Sequence, residues 1–503
     1  MLAIVPSATL LGVDGRPVSV EVHVSSGLPG FTIVGLPDAS CREARDRVRA
    51  ALLSTRLRWP QRRITVNLAP SGLRKVGSGL DLAIAVGVLL ADEQLEPGPH
   101  EGLGFLGELG LDGSLRAVPG MVSLVEALPG SVAVVPSSAA AEACLVARHE
   151  VRPVAHLGEV FSALKGEEGW PPAPPPPALA PPPPEPDLAD VRGQPVARLA
   201  LEVAAAGQHH ILMVGPPGSG KTMLARRLPG LLPSLEQGHA LEATRIHSAA
   251  GIALPSNSLI WRPPLRAPHH GASPVSIIGG GTAVMRPGEV SLAHRGVLFL
   301  DEMGEFAPQV LDTLRQPLEE GEVRVCRAKA SATFPARFLL AGAMNPCPCG
   351  EGSAPGACVC SDTARARYRR RLSGPLLDRF DLRIEVLRPD VDQLLRGEPG
   401  ECTAVVAERV AEARERARGR GVSANAELTA AELEEFAPMS DGATLLVEQA
   451  LRAGRLSARG LQRVRRVALT LADLWGRGRP LESDQVSLAL SLRAEPAGLG
   501  NHG

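Results

Sequence analysis

The sequence predicts an α/β phosphate-loop core, followed by a helical region and preceded by a separate α+β domain. Three observations predict this. The run Gly215-Pro216-Pro217-Gly218-Ser219-Gly220-Lys221-Thr222 fits the pattern G-x-x-x-x-G-K-[ST] at every fixed position. Residues 188–390 alternate apolar strand-like runs with helical stretches, as a parallel α/β core does. The stretch from Trp170 to Pro186 divides the chain, because its consecutive prolines favour extended polyproline II over helix or sheet. We read it as a semi-rigid linker, with a ligand for a proline-recognising domain as the alternative.

Composition narrows the class. A chain of 503 residues holds about three domains. A net charge of −1 gives no global basic field, so any nucleic-acid contact must come from local patches. No apolar run is long enough to span a bilayer, and Met1-Leu2-Ala3-Ile4-Val5-Pro6 lacks the basic start of a signal peptide. Eight cysteines, four of them clustered, do not resemble a secreted disulfide framework. The expectation is a soluble cytoplasmic protein without a membrane partner.

The elements follow in chain order. In a first domain, residues 1–165, Val18 to Val24 alternates with period two, as a half-buried strand does. Asp38 to Leu53 reads as a helix, Ile64 to Leu68 as a strand and Asp81 to Leu90 as an apolar helix, with further strands near Phe105 and Val132–Val135. The linker spans 166–187 and the core 188–392. Within the core, Ile211-Leu212-Met213-Val214 is a buried strand entering the phosphate loop, and Met223 to Leu228 is the helix leaving it. Residues 393–496 read as mostly helical, most plainly from Glu401 to Arg418.

The loop glycines let backbone N–H groups close around phosphate oxygens. Lys221 is placed to reach β- and γ-phosphates and Thr222 to ligate Mg²⁺. Lysine is scarce here, four among 53 basic residues, which makes chance placement at Lys221 less credible. In Val297-Leu298-Phe299-Leu300-Asp301-Glu302 a central strand ends in two carboxylates, at the edge where open α/β sheets bind ligands. Asp301 is the candidate to hold Mg²⁺ through water, and Glu302 to deprotonate an attacking water. Asn345 tips the strand starting at Phe338, either contacting γ-phosphate or closing a turn. Arg379 either projects to a neighbouring subunit as an arginine finger or pairs with Asp378 or Asp381.

Phosphate loop, Asp-Glu strand, Asn-tipped strand and Leu376-Leu377-Asp378-Arg379-Phe380-Asp381 together resemble AAA+ ATPases of the magnesium-chelatase and MCM-helicase branch. More narrowly, Arg266-Ala267-Pro268-His269-His270, Ile278-Gly279-Gly280-Gly281, Pro287 to His294 and Ala343-Met344-Asn345-Pro346 resemble the ComM/YifB family over essentially the whole chain. The resemblance implies an AAA+ core with a helical lid, ATP and Mg²⁺ as ligands, and a homo-hexameric ring. The implied activity is branch migration of DNA, single-stranded or branched. Leu456 to Arg463 matches the family's lid motif, which makes Arg459 the implied sensor contacting γ-phosphate and Arg463 the runner-up. Two inserts would face the ring pore, Gly271 to Glu289 and Glu322 to Arg337. Arg324, Arg327, Lys329 and Arg337 on the second either pair with DNA phosphates or decorate a solvated hairpin. Arg365, Arg367, Arg369, Arg370 and Arg371 form another basic cluster, interrupted by Tyr368, which could stack on a base. The alternative functions are a chelatase-type protein-remodelling motor and an ATP-fed protease.

Cys347, Cys349, Cys358 and Cys360 form a C-x-C…C-x-C pair that suits tetrahedral Zn²⁺, with free thiols or a redox pair as alternatives. Finally, Asn67-Leu68-Ala69-Pro70, Lys75 to Leu82 and Gly107 to Gly113 resemble the Lon-protease-type (ribosomal S5 domain 2-like) domain. Ser78 is offset from the nucleophile's place, and residues 116–124 lack the lysine base such enzymes need, so no peptidase activity is expected.

Overall fold

The computed structural model describes residues 1–173, 185–255, 258–281, 285–327, 330–352 and 358–494. The two proline runs fall outside the described residues, as does Lys329. No helix among the described residues is long and apolar enough to cross a membrane.

The first region carries a mixed four-stranded sheet, ordered Leu2–Leu11, Asp14–Ser25, Arg63–Ala69, Gly30–Val34; only the last pair is parallel. The period-two pattern turns Val18, Val20, Val22 and Val24 inward. They pack beneath helix Asp81–Ala91, whose residues are all buried. The helix lies very close: a methyl group at Gly87 would sit 2.5 Å from Val22 Cγ2. Helix Ala39–Ser54 starts on Asp38, whose side chain accepts from Cys41 N. A second sheet, all parallel, joins Leu103–Phe105, Val132–Pro136 and Glu150–Val154.

The phosphate-loop region is built on a five-stranded parallel sheet. Its order is Leu265–Arg266, Val297–Leu300, Leu339–Met344, Ile211–Val214, Leu382–Glu385. Its three central strands are covered on both faces, which explains their unbroken apolar runs. The helix after the loop is shorter than expected. It covers Lys221–Ala225, and a separate turn covers Leu228–Leu231, because Pro229 has no N–H to offer Ala225. Helices Thr403–Arg418, Asp441–Arg452, Ala458–Leu474 and Ser483–Ser491 form the C-terminal bundle, which shares an apolar core with helix Pro195–Gly207.

Both expected inserts leave this sheet. The first holds a short helix, Pro274–Ile278, and a two-residue pairing of Gly279–Gly280 with Arg286–Pro287. Its base is stapled by Arg266, which donates to both Glu289 carboxylate oxygens at 2.7 and 2.9 Å. The second is an antiparallel hairpin, Glu322–Arg327 with Ala330–Pro335. The tip between the first two strands of the chain rests on that hairpin: Val13 joins Val323, Val325, Ala332 and Phe334 in one apolar cluster. Gly120 N also donates to Ser248 O at 2.9 Å, docking the first region on helix Gln237–Ala250.

Candidate active site

Three parallel strands deliver their C-terminal ends to one place. Ile211–Val214 runs into the phosphate loop, Val297–Leu300 into Asp301 and Leu339–Met344 into Asn345. Lys221 is buried, and its ammonium donates to Gly215 O at 2.7 Å and Pro216 O at 2.8 Å, with Asn345 Oδ1 at 3.5 Å. Burial holds its pKa below the ordinary lysine value, the nearby Asp301 charge opposing this. Gly218 and Gly220 adopt φ of 77° and 92°, and a Cβ at either would meet nothing within 4 Å. The loop therefore keeps an open concave side for phosphate oxygens.

Thr222 Oγ1 donates to Asp301 Oδ2 at 2.7 Å. A hydroxyl and a carboxylate converging there are the hard oxygen donors Mg²⁺ takes, so these residues fit that ion. Glu302 follows in the left-handed region, φ 50°, an uncommon conformation for a non-glycine residue that sets its carboxylate apart from the strand direction. That carboxylate lies 3.2 Å from His270 Nδ1. His270 stacks beside His269, meets Phe306 edge-on, and stands at the root of the first insert.

Tyr368 is buried and cannot stack on a base. Its hydroxyl lies near the backbone N–H of Asn345, and its ring packs on Gly304, so it fills the space between the two strand ends. Burial pushes its phenol up to about 12, which keeps it neutral. Arg371 adds a bond to Gly304 O at 2.7 Å. Thus part of the basic cluster fastens the site from below.

Arg379 stands elsewhere. Strand Leu382–Glu385 runs parallel to Ile211–Val214 with Leu382 opposite Ile211, so residues 379–381 lie at the sheet's N-terminal edge, away from the phosphate loop. Its guanidinium pairs with Glu319, not with Asp378 or Asp381. Burial, then the charges of Arg463, Arg459 and Arg315, lower its pKa, so Arg459 shares this edge. Arg459 is exposed, whereas Arg463 is committed to Asp381 Oδ1 at 2.5 Å and Arg379 O at 3.0 Å. Asp381 also accepts from His210 N at 3.2 Å and lies 3.6 Å from His209 Nδ1.

The four clustered cysteines come together, all four sulfurs lying within 4.8 Å of one another. Tetrahedral Zn–S bonds of about 2.3 Å place sulfurs about 3.8 Å apart. Cys347–Cys358 and Cys349–Cys358, at 3.7 and 3.8 Å, match that spacing, and Cys347–Cys349 is tighter at 3.3 Å. In the first region, Lys75 is buried and donates to Pro70 O, whereas Ser78 donates to the Glu108 carboxylate. The two make separate bonds. On the hairpin, Arg324 is exposed and paired with Glu322 at 2.7 Å.

Sequence reasoning missed His270, Tyr368 as a packing group, and Arg388, whose Nε donates to Pro217 O at 3.3 Å. The only available signals were the His pair beside a polar insert and a lone tyrosine inside a basic helix.

A parallel sheet with phosphate loop, Asp-Glu strand and Asn-tipped strand defines a magnesium-chelatase-like AAA+ ATPase, a class that uses ATP and Mg²⁺. Family profiles agree. Magnesium chelatase, subunit ChlI, matches residues 187–410; Subunit ChlI of Mg-chelatase matches 20–136; and the ChlI C-terminal profile matches 400–493. Competence protein ComM of Haemophilus influenzae is 44% identical over 483 residues, 94% of each chain. Protein YifB of Escherichia coli is 43% identical over 484 residues, covering 94% of this chain and 93% of its own. The magnesium-chelatase 38 kDa subunit of Rhodobacter capsulatus is 31% identical over 215 residues, 39% of this chain and 55% of its own. The chain belongs to the ComM/YifB family of magnesium-chelatase-like proteins.

Proposed function

We propose that this chain is an ATP-driven ring motor that acts on DNA, a helicase or branch-migration motor of recombination or natural transformation. The observation that carries the reading is the division of the site between two sheet edges. Lys221, Thr222, Asp301, Glu302 and Asn345 gather at one edge, Arg379 and Arg459 at the other. A copy placed edge to edge would bring Arg379 to its neighbour's γ-phosphate, and repeating that contact closes a homo-hexameric ring. In each site Lys221 holds phosphate oxygens, and Glu302 takes the proton of the attacking water. Asn345 orients that water, and Arg379, with Arg459, stabilises developing charge. Thr222 and Asp301 would hold Mg²⁺, which supplies neutralisation of phosphate charge. The inserts would face the pore, and Arg324 there can exchange Glu322 for a DNA phosphate. The name of the Haemophilus relative, a competence protein, supports the DNA reading.

On this reading the chain divides into the domains 1–165, 166–187, 188–392 and 393–496. The first is a non-proteolytic Lon-type module, and the four cysteines hold a structural Zn²⁺. The likeness to the Rhodobacter subunit favours a second reading, a protein-remodelling motor. The test is ATP hydrolysis by the purified chain, alone and with single-stranded, duplex and branched DNA, against Lys221→Ala. Stimulation lost in the variant supports the DNA motor. Turnover indifferent to every DNA favours the second reading.

A further inference from the structure

The cysteine knuckle touches the phosphate loop. Gly350, at φ 85°, lies so close to Pro217 that a Cβ there would fall 2.5 Å from the proline Cδ. Glu351 pairs with Arg388 Nη2 at 2.6 Å, and the same guanidinium donates through Nε to Pro217 O. Cys347 is buried two residues beyond Asn345, the residue facing Lys221. The chain turns sharply between its first two cysteines, where Gly350 N donates to Cys347 O at 3.0 Å.

We infer that Zn²⁺ at Cys347, Cys349, Cys358 and Cys360 holds this knuckle against Pro217, so that metal occupancy sets the affinity of the phosphate loop for nucleotide. The inference rests on the reading of the loop as an ATP site and of the cysteines as a zinc site, and it does not depend on DNA. Without the ion, the segment bearing Cys358 and Cys360 loses its tie to the segment bearing Cys347 and Cys349. Gly350 and Glu351 then need not stay on the loop. If the metal-free knuckle is docked one time in ten, the apparent affinity falls about tenfold.

The test uses the full chain, with zinc content measured by metal analysis and nucleotide affinity by a fluorescent ATP analogue, both without DNA. We expect one zinc per chain, lost in Cys349→Ser/Cys358→Ser, with nucleotide affinity down about tenfold. Arg388→Ala guards against a folding artefact, since it leaves all four thiolates intact. It should keep the zinc yet weaken nucleotide binding about threefold, the weight of an exposed ion pair and one hydrogen bond. No zinc in the purified chain and no uptake from added Zn²⁺ would overturn both the metal site and the coupling. Zinc present, with affinity unchanged by its removal and by Arg388→Ala, would overturn the coupling alone. Failure of every form to bind nucleotide would overturn the ATPase reading and the coupling together.

Discussion

Replacing Asp381 by Asn should loosen the joint between the sheet and the C-terminal bundle. The carboxylate is buried at the mouth of strand Leu382–Glu385. It accepts from Arg463, on helix Ala458–Leu474, and from His210 N, at the start of the phosphate-loop strand. Its pKa is held far below the ordinary carboxylate value. Burial opposes ionisation, but the His209 ring 3.6 Å away and the charge of Arg463 outweigh it. Removing one partner of a buried pair costs about 3–5 kcal/mol because the other charge is stranded. Asn can still accept from His210 N, so we expect about 3 kcal/mol, or a fall of about 6–12 °C in the melting temperature of the unit containing it. Calorimetry at pH 7 reads this directly. Adding Arg463→Met to the variant should cost little more, since the stranded cation is then gone. A depressed carboxylate stabilises above its unfolded pKa of about 3.9 and loses that contribution only as pH falls below it. The wild-type advantage over Asp381→Asn should therefore be full at pH 6 and shrink below pH 4. A melting temperature unchanged within about 2 °C at pH 7, or additive costs in the double variant, would refute the reasoning.

Four further outcomes are expected. Glu302→Gln should bind ATP and fail to hydrolyse it, which single-turnover assays would show; unchanged turnover would remove Glu302 from its role. Arg379→Ala should retain nucleotide binding and stop hydrolysis, and mixing with Lys221→Ala chains should restore part of the activity if each supplies what the other's site lacks. Gly304→Ala would drive a methyl into the Tyr368 ring and hydroxyl, costing about 1–3 kcal/mol and slowing turnover by shifting the turn that follows Asp301 and Glu302. Burial pulls His210 down to about 4, opposed by Asp381 and aided by Arg463, His209 and Arg379, while its Nδ1 accepts from Leu340 N at 3.0 Å. The unfolded chain protonates first as pH falls from about 6.5. Urea titrations should therefore lose about 2–3 kcal/mol of stability between pH 6.5 and 4, and His210→Gln should lose less.

The nucleotide edge was legible because its chemistry is local: one eight-residue run and two strand ends carry it, and parallel strands bring those ends together by construction. The strands themselves were legible from unbroken apolar runs, Val297–Leu300 and Leu339–Met344 among them. What escaped reading was determined across distance. Nothing near Tyr368 announces that Gly304 and Asn345 will surround it, 64 and 23 residues away by number. Arg463 resembles Arg459 in sequence, and only the approach of Asp381 commits one guanidinium and leaves the other exposed. Likewise, Arg379 met Glu319 rather than its sequence neighbours because the sheet edge turns it toward helix Arg315–Glu320.

The tip around Val13 has a consequence for how this chain can be cut or recombined. The proline stretch invites division into an amino-terminal piece and an ATPase piece. Yet Val13 and Gly12 roof the apolar floor formed by Val323, Val325, Ala332 and Phe334. A core severed from residues 1–165 would carry that floor bare on the hairpin. Such an exposed apolar face favours self-association. The two pieces are therefore heritable only as a pair, and a swap between distant relatives must carry the tip together with its seat.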